Sequence, residues 1–291
     1  MILVAGGSGR LGTLVVKDLA ATGHRVRVLS RWPARLTDLG ATGVEVASGD
    51  VRDPESLTEP MNGVRTVVSA VHGFDGSGGV TPASVDRDGN RHLVAAAARA
   101  GADVVLVSVV GAAAQHRMEL FRMKWSAEQA LMSSGVPWTV VRSSAFAETW
   151  VDILVQTAGR SGRPVVLGRG QNPVNFVAVQ DVAGAVVRAV DDTSLRGTVL
   201  EVGGPENLTH SDLAERVQRA RGWTGRPRHV PRPALRVAAA ALIGIHPRSA
   251  RRAAAALAMD TLAFSYDPSA ARERHPWLPC TDVSGVGAGP S

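Results

Sequence analysis

Directly behind the first apolar run of the chain, Ile2-Leu3-Val4-Ala5, stands Gly6-Gly7-Ser8-Gly9-Arg10-Leu11-Gly12. Two registers fit a phosphate-holding turn, Gly6-x-x-Gly9-x-x-Gly12 and Gly7-x-Gly9-x-x-Gly12. Only glycine tolerates such a tight turn and lets phosphate oxygens approach the backbone. The helix that follows offers unpaired N–H groups at the positive end of its dipole. A strand, this turn and a helix in that order hold the diphosphate of a dinucleotide.

The end of the second predicted strand decides which dinucleotide. An acid there accepts from the adenosine ribose of NAD, whereas this chain reads Leu29-Ser30-Arg31-Trp32-Pro33. A guanidinium pairs with the 2′-phosphate of NADP, which an acid would repel. Arg31 is assigned that role, with Ser30, Arg10 and Arg35 as helpers, and NADP(H) is the expected cofactor. Gly49-Asp50-Val51, after the third predicted strand, falls where adenine lies in a doubly wound sheet. There Asp50 either accepts from the adenine amino group or makes an Asx turn into a helix at Pro54. Ala70-Val71-His72 follow the fourth strand and are expected beside the diphosphate and the nicotinamide ribose.

The elements that must position these residues alternate β-branched runs with Ala-rich helical patterns, which produces a parallel sheet covered on both faces. Strands are predicted near Ile2 to Ala5, Arg25 to Leu29, Val44 to Ala47, Thr66 to Ala70, Asp103 to Ser108 and Trp138 to Arg142. Helices are predicted near Arg10 to Thr22, Pro54 to Met61, Ser84 to Ala100 and Met118 to Ser134. Beyond Arg142 the pattern loosens. It suggests strands at Pro164 to Leu167 and Thr198 to Val202, helices at Gln180 to Val190 and Ser211 to Arg221, and an Ala-rich helical stretch from Arg232 to Phe264 broken at His246-Pro247. The expected fold is α/β, a Rossmann-type doubly wound parallel sheet with a smaller, largely helical C-terminal substrate-binding part. The division expected is a binding domain over 1–145, a substrate part over 146–281 interleaved with it, and a disordered tail over 282–291.

Composition narrows the function classes. At 45% hydrophobic and 20% charged over 291 residues, the chain has enough apolar surface for a full core. Its apolar stretches are interrupted well short of the roughly 20 residues a membrane span needs. Met1 enters a short apolar run with no basic flank, unlike a signal peptide, so a cytoplasmic protein without a membrane partner is expected. Cys280 is the only cysteine, which excludes an intrachain disulfide and a cysteine-based metal cluster; no metal is expected. The formal charge of +6 is uneven, since residues 216–259 hold ten arginines and no acid. That segment reads first as a solvated helix face and second as a surface for an anionic substrate or partner. With only Trp223 interleaved, nucleic acid is not expected.

Together with the glycine turn, several further features come in a specific order: Gly49-Asp50, Val85-Asp86-Arg87-Asp88-Gly89-Asn90, Ser108, Lys124, Trp138-Thr139-Val140-Val141-Arg142 and the stretch from Phe176 to Ala183. Over roughly residues 1–220 the chain resembles the extended or atypical branch of the short-chain dehydrogenase/reductase superfamily, with its NmrA-like and isoflavone-reductase-like members. That family's usual chemistry needs a serine, a tyrosine and a lysine, with the tyrosine four residues before the lysine. Here Leu120 stands in that place, and the chain's one tyrosine, Tyr266, lies far along. The resemblance implies that Lys124 bonds the nicotinamide ribose, and that Ser108 holds a substrate oxygen.

Reducing a carbonyl requires a hydride, which the cofactor supplies, and a proton or charge stabilisation for the developing alkoxide. Without the tyrosine, the proton must come from His116, from His72, from water or from the substrate itself. Aromatic polyketides and quinones carry phenols that can supply it, and Met118, Phe146 and Trp150 are candidates to line an apolar pocket, or else are core. The expected activity is therefore an NADPH-dependent ketoreductase acting on a carbonyl or quinone of an aromatic small molecule, as in antibiotic biosynthesis, in a monomer or homodimer. The alternatives are a non-catalytic NADP(H)-sensing regulator of the NmrA kind and an epimerase or double-bond reductase.

Overall fold

The computed structural model describes residues 1–36, 43–76 and 78–282. From the N-terminus, strand β1 (Ile2–Ala5) leads through the glycine turn into the helix Arg10–Ala21 and on to β2 (Val26–Ser30) and β3 (Glu45–Ser48). β4 (Thr66–Ser69), the helix Asn90–Ala100, β5 (Asp103–Val109), the helix Glu119–Met132 and β6 (Trp138–Ser143) follow. The chain then makes β7 (Ala145–Phe146), the helix Ala147–Ala158, β8 (Val165–Leu167) and β9 (Pro173–Val177). It returns as the helix Val179–Asp191 and β10 (Thr198–Val202), and ends with β11 (Asn207–Thr209), the helix His210–Ala220, β12 (Arg228–Val230) and the helices Arg232–Ala241, Pro247–Met259 and Ser269–Arg274.

Two compact units result, one of Met1–Ser143 with Gln180–Glu201, the other of Ser144–Val179 with the described part of Val202–Ser291. In the first, seven strands lie in the order β10-β6-β5-β4-β1-β2-β3. β1 pairs in parallel with both β2 and β4, and the ladder continues in parallel to β3 on one side and to β5 and β6 on the other. The strand order therefore reverses at β1 and β4, and in such sheets ligands gather beyond the carboxyl ends of the strands at that point. Both faces of β1 and β4 are buried, as a near-continuous apolar run in a parallel sheet requires. Leu3, Leu57, Leu93, Leu106 and Leu131 anchor the core beneath the helices.

Two predicted helices come out differently. Pro54 to Met61 forms only the 3₁₀ turn Glu55–Leu57. Pro60 forbids a helical continuation through Glu59, and side chains take over the local backbone bonding: Ser56 Oγ donates to the carbonyl of Asp53, and Asp53 accepts from Glu55 N–H. The predicted helix from Ser84 to Ala100 begins earlier, at Pro82 behind a Thr81/Ser84 capping box, and is wound as a π-helix over Pro82–Gly89 before Asn90. Single π segments inside helices are common at functional sites, and this one carries Asp86.

The second unit contains small sheets as well as helices. β9 lies between β7 and β11, and β8 pairs in parallel with β12. Phe176, Leu213, Val217 and Leu154 fill its core.

Candidate functional site

The glycine turn is built for close approach. Gly6 has φ +87°, and a side chain there would collide with the backbone of Ala70, 2.5 Å from its carbonyl oxygen. A Cβ on Gly12 would run into the backbone of Gly6. These two glycines thus allow the tight turn and the contact of helix with strand. Gly9 is the residue before the helix Arg10–Ala21, in extended conformation, and Gly7 packs against Val28. No side chain caps that helix, and its first turn, which includes Leu11, holds no acid. An uncapped, non-acidic N-terminus is what a diphosphate needs, and Ser8, Gly9 and Arg10 are exposed around it. The residues present therefore fit a dinucleotide.

Arg31 is exposed just past β2. Ser30 Oγ accepts from Trp32 N–H at 3.0 Å, and the Arg35 guanidinium lies 5.6 Å from the Trp32 ring centre. Those two expected helpers thus shape the loop around Arg31. Gly49 N–H donates to the Ser30 carbonyl and joins the ends of β2 and β3. The Asp50 carboxylate makes the Asx turn, accepting from Arg52 N–H at 3.0 Å, and is gripped by the Arg52 guanidinium at 2.6 to 3.1 Å. Burial alone would raise its pKa, but Arg52, with added charge from Arg31, holds it below the usual carboxylate range. The Asp50 carboxylate is thus charge-paired within its own turn. Val51 is buried, and its carbonyl meets the His92 ring at 2.8 Å.

Beyond β4 and β5 lies a buried polar cluster. Lys124 on the helix Glu119–Met132 donates to the carbonyls of Val71 and Val107, each at 3.0 Å, and its Nζ is 3.1 Å from Asp86 Oδ1 in an ion pair that lacks hydrogen-bond geometry. Lys124 is 4% exposed and Asp86 0%. Asp86 Oδ2 accepts from Gly73 N–H at 2.8 Å. Burial would raise the Asp86 pKa, but the charge of Lys124, then His72 and the Gly73 N–H, carry it below the usual range. Lys124, expected at a ribose hydroxyl, thus has its ammonium buried against two backbone carbonyls and the Asp86 carboxylate. It ties together the segments after β4, the end of β5 and the π-helix. Asn90 supports the same corner, accepting from Ser69 Oγ at 2.5 Å and donating to the Asp86 carbonyl at 2.7 Å.

Three expected reactive groups differ in their surroundings. Ser108, one residue past Val107, is 1% exposed, and its Oγ has no hydrogen-bond partner. His72 is half-exposed, with Nδ1 3.8 Å from Asp86 Oδ1. His116 stacks on Phe121 with ring centres 4.2 Å apart, and its Nδ1 accepts from Met118 N–H at 3.1 Å. Burial, with the nearby charge of Arg122, outweighs the Met118 contact and lowers the His116 pKa. His116 is thus a neutral ring with one nitrogen already used. Phe146 and Trp150 fall in the second unit, where Trp150 packs on the core and edge-on to His210 at 4.5 Å. Tyr266 is in that unit too, packed against Gly203, while Leu120 stands where the family tyrosine would be.

Residues 6–193 match the NAD(P)H-binding family. The chain belongs to it. The resemblance to NmrA-like, extended short-chain dehydrogenase/reductases holds, and the expected Rossmann-type sheet is the one observed. A (4-alkanoyl-5-oxo-2,5-dihydrofuran-3-yl)methyl phosphate reductase of Streptomyces griseus is 33% identical over 251 residues, covering 85% of this chain and 82% of that protein. An NAD(P)H azoreductase of Xenophilus azovorans is 29% identical, covering 76% of this chain and 74% of its own. An NADPH-dependent quinone oxidoreductase of Escherichia coli, solved with NADPH, superposes with a TM-score of 0.79 at 21% identity, covering 99% of each chain. These three relatives are reductases by name, and this chain belongs to that reductase family, with an NAD(P)H-binding domain.

The role of Asp86 was not legible in the sequence: it is one of two acids in the polar run Val85 to Asn90, and nothing in the spacing ties it to Lys124, 38 positions on. Among the described residues no group of histidine, cysteine and acidic side chains could hold a metal, and no helix is long and apolar enough to cross a membrane.

Proposed function

We propose that the chain is an NADPH-dependent reductase of conjugated carbonyl compounds, quinones and aromatic polyketide-like ketones among them. The observation that carries this reading is the Ser108 hydroxyl, buried and without a protein partner, one residue before the carboxyl end of β5. A buried hydroxyl left unpaired costs roughly 1–3 kcal/mol, and a substrate oxygen would satisfy it. When bound, NADPH supplies a hydride from C4 of the nicotinamide.

Negative charge then develops on the substrate oxygen, where Ser108 Oγ–H can donate to it. In a quinone or conjugated carbonyl that charge is delocalised, and a weak donor suffices. A tyrosine-free site suits such acceptors better than isolated ketones. The proton reaches the product from water or from His72, whose imidazole is half-exposed and backed by the Asp86 carboxylate. His116 is the weaker candidate, since Nδ1 accepts from the backbone and the ring is held neutral. Lys124 is a positioning residue that holds the carbonyls on either side of this arrangement. Arg31 selects the 2′-phosphate.

The names of the relatives point the same way: quinone, azo and oxo-dihydrofuran compounds are all conjugated acceptors. The test is NADPH oxidation measured against quinones, enones and aromatic ketones. Turnover with conjugated acceptors, reduced at least tenfold in kcat by Ser108→Ala, is expected. A second reading, an NADP(H) sensor without turnover, is favoured by the engagement of Lys124 and the absence of the tyrosine. It prevails if the protein binds NADPH tightly and oxidises it with no member of the panel.

A further inference from the structure

Four large apolar side chains are strongly exposed among the described residues, and three of them, Val237 at 66%, Ile243 at 69% and Ile245 at 72%, share one helical hairpin. Its arms are the helices Arg232–Ala241 and Pro247–Met259. Leu235, Ala250, Ala253 and Ala256 are buried, so the arms have an inner face. The turn between them, Leu242-Ile243-Gly244-Ile245-His246, carries no charge and is almost wholly exposed. Arg236 and Arg248 are exposed on either side of that turn. No acid occurs anywhere in residues 216–259, and the acid that follows the hairpin, Asp260, is paired with the Arg232 guanidinium.

An apolar tip ringed by cations is poorly suited to bare water, and it is equally poorly suited to a second copy of itself. Two such tips placed together would bring like charges into contact with no carboxylate to offset them. The chemistry that matches both features at once is a layer of anionic headgroups over hydrocarbon. Aliphatic side chains bury at the headgroup boundary while guanidinium groups meet the phosphates. Arms of 10 and 13 residues are too short to span a bilayer that needs about 20. Contact is therefore peripheral.

We infer that the hairpin Arg232–Met259 is a surface-docking element for anionic lipid bilayers, inserting Ile243 and Ile245 and pairing Arg236 and Arg248 with lipid phosphates. It would bring a reductase to a membrane in which apolar quinone-like acceptors dissolve, although docking does not depend on what is reduced.

The test is co-sedimentation of the full chain with vesicles of phosphatidylcholine containing phosphatidylglycerol, against phosphatidylcholine alone. Binding to the anionic vesicles only, weakened by salt, is expected. Arg236→Gln with Arg248→Gln should reduce it about fivefold per arginine. Ile243→Ser with Ile245→Ser should reduce it roughly tenfold or more. Both pairs lie on the surface, and unchanged NADPH binding verifies that each variant is folded. Absence of binding to anionic vesicles at low salt overturns the inference, as does equal binding to neutral vesicles. So does self-association without lipid that Ile243→Ser abolishes, which would assign the tip to contacts between copies.

Discussion

The glycine turn and the cluster around Lys124 both deal with charge, and they do so by opposite means. Between Gly6 and Gly12 the backbone leaves donors open: the helix start is uncapped and its first turn lacks an acid. Around Lys124 the opposite holds, because the ammonium is buried against two carbonyls and Asp86. One region is organised to receive a charge from outside, the other to satisfy the charges it already contains. Receptive and self-satisfied sites can look alike as residue types in a sequence, and they differ in which polar groups remain unpaired.

The largest effect expected from breaking this contrast is in the closed region. Lys124→Met leaves the Asp86 carboxylate, fully buried, without its counter-charge, and should destabilise the fold by about 3–5 kcal/mol in urea unfolding. Lys124→Met combined with Asp86→Leu should recover most of that. If the double variant is no more stable than the single one, Lys124 and Asp86 do not act as a pair. A second buried group, His210, sharpens the comparison because its Nε2 has no hydrogen-bond partner and the acid that acts on it, Asp260, is already paired with Arg232. Burial next to Trp150 and Phe176 pushes its pKa down to about 4 from 6.5, opposed only by the charge of Asp260. A depressed pKa means that the stabilisation is complete above the unfolded value of 6.5 and is lost as pH falls towards about 4. The loss should approach about 3 kcal/mol, and His210→Phe should flatten stability against pH across that window.

On the open side, Gly12→Ala pushes a Cβ into the backbone of Gly6 and should weaken NADPH binding about a hundredfold by displacing the turn. Calorimetric titration of the folded variant checks this, and binding unchanged from wild type would remove the turn from the site. The smallest effect concerns selection. Arg31→Ala should weaken NADPH about tenfold, within the range for a hydrogen bond to a charged group, and leave NADH nearly unchanged. Equal loss for both cofactors would remove Arg31 from the 2′-phosphate.

Much of the first unit was legible because its signals are local. The strand, glycine turn and helix at the N-terminus are adjacent in sequence, and the β-branched runs mark the remaining strands within a residue or two. The helix expected at Pro54 to Met61 failed for a reason also visible locally, since Pro60 and the Asp53 and Ser56 side chains compete with helical bonding. What could not be read was anything made by partners distant in the chain. The π winding that carries Asp86, the engagement of Lys124, the difference between His72 and His116, and the return of Gln180–Glu201 to the first unit all belong to that class.

By itself, then, the order of residues determined a dinucleotide-binding crossing and a guanidinium just past β2, because backbone conformation and the charge of a side chain are properties of short segments. Only the folded chain decided which polar groups stay open. Whether a lysine, an acid or a serine is free to act depends on the carbonyls and carboxylates that folding brings to it from elsewhere. Ser108 is left unpaired and Lys124 is not, and their residue types alone do not distinguish those outcomes.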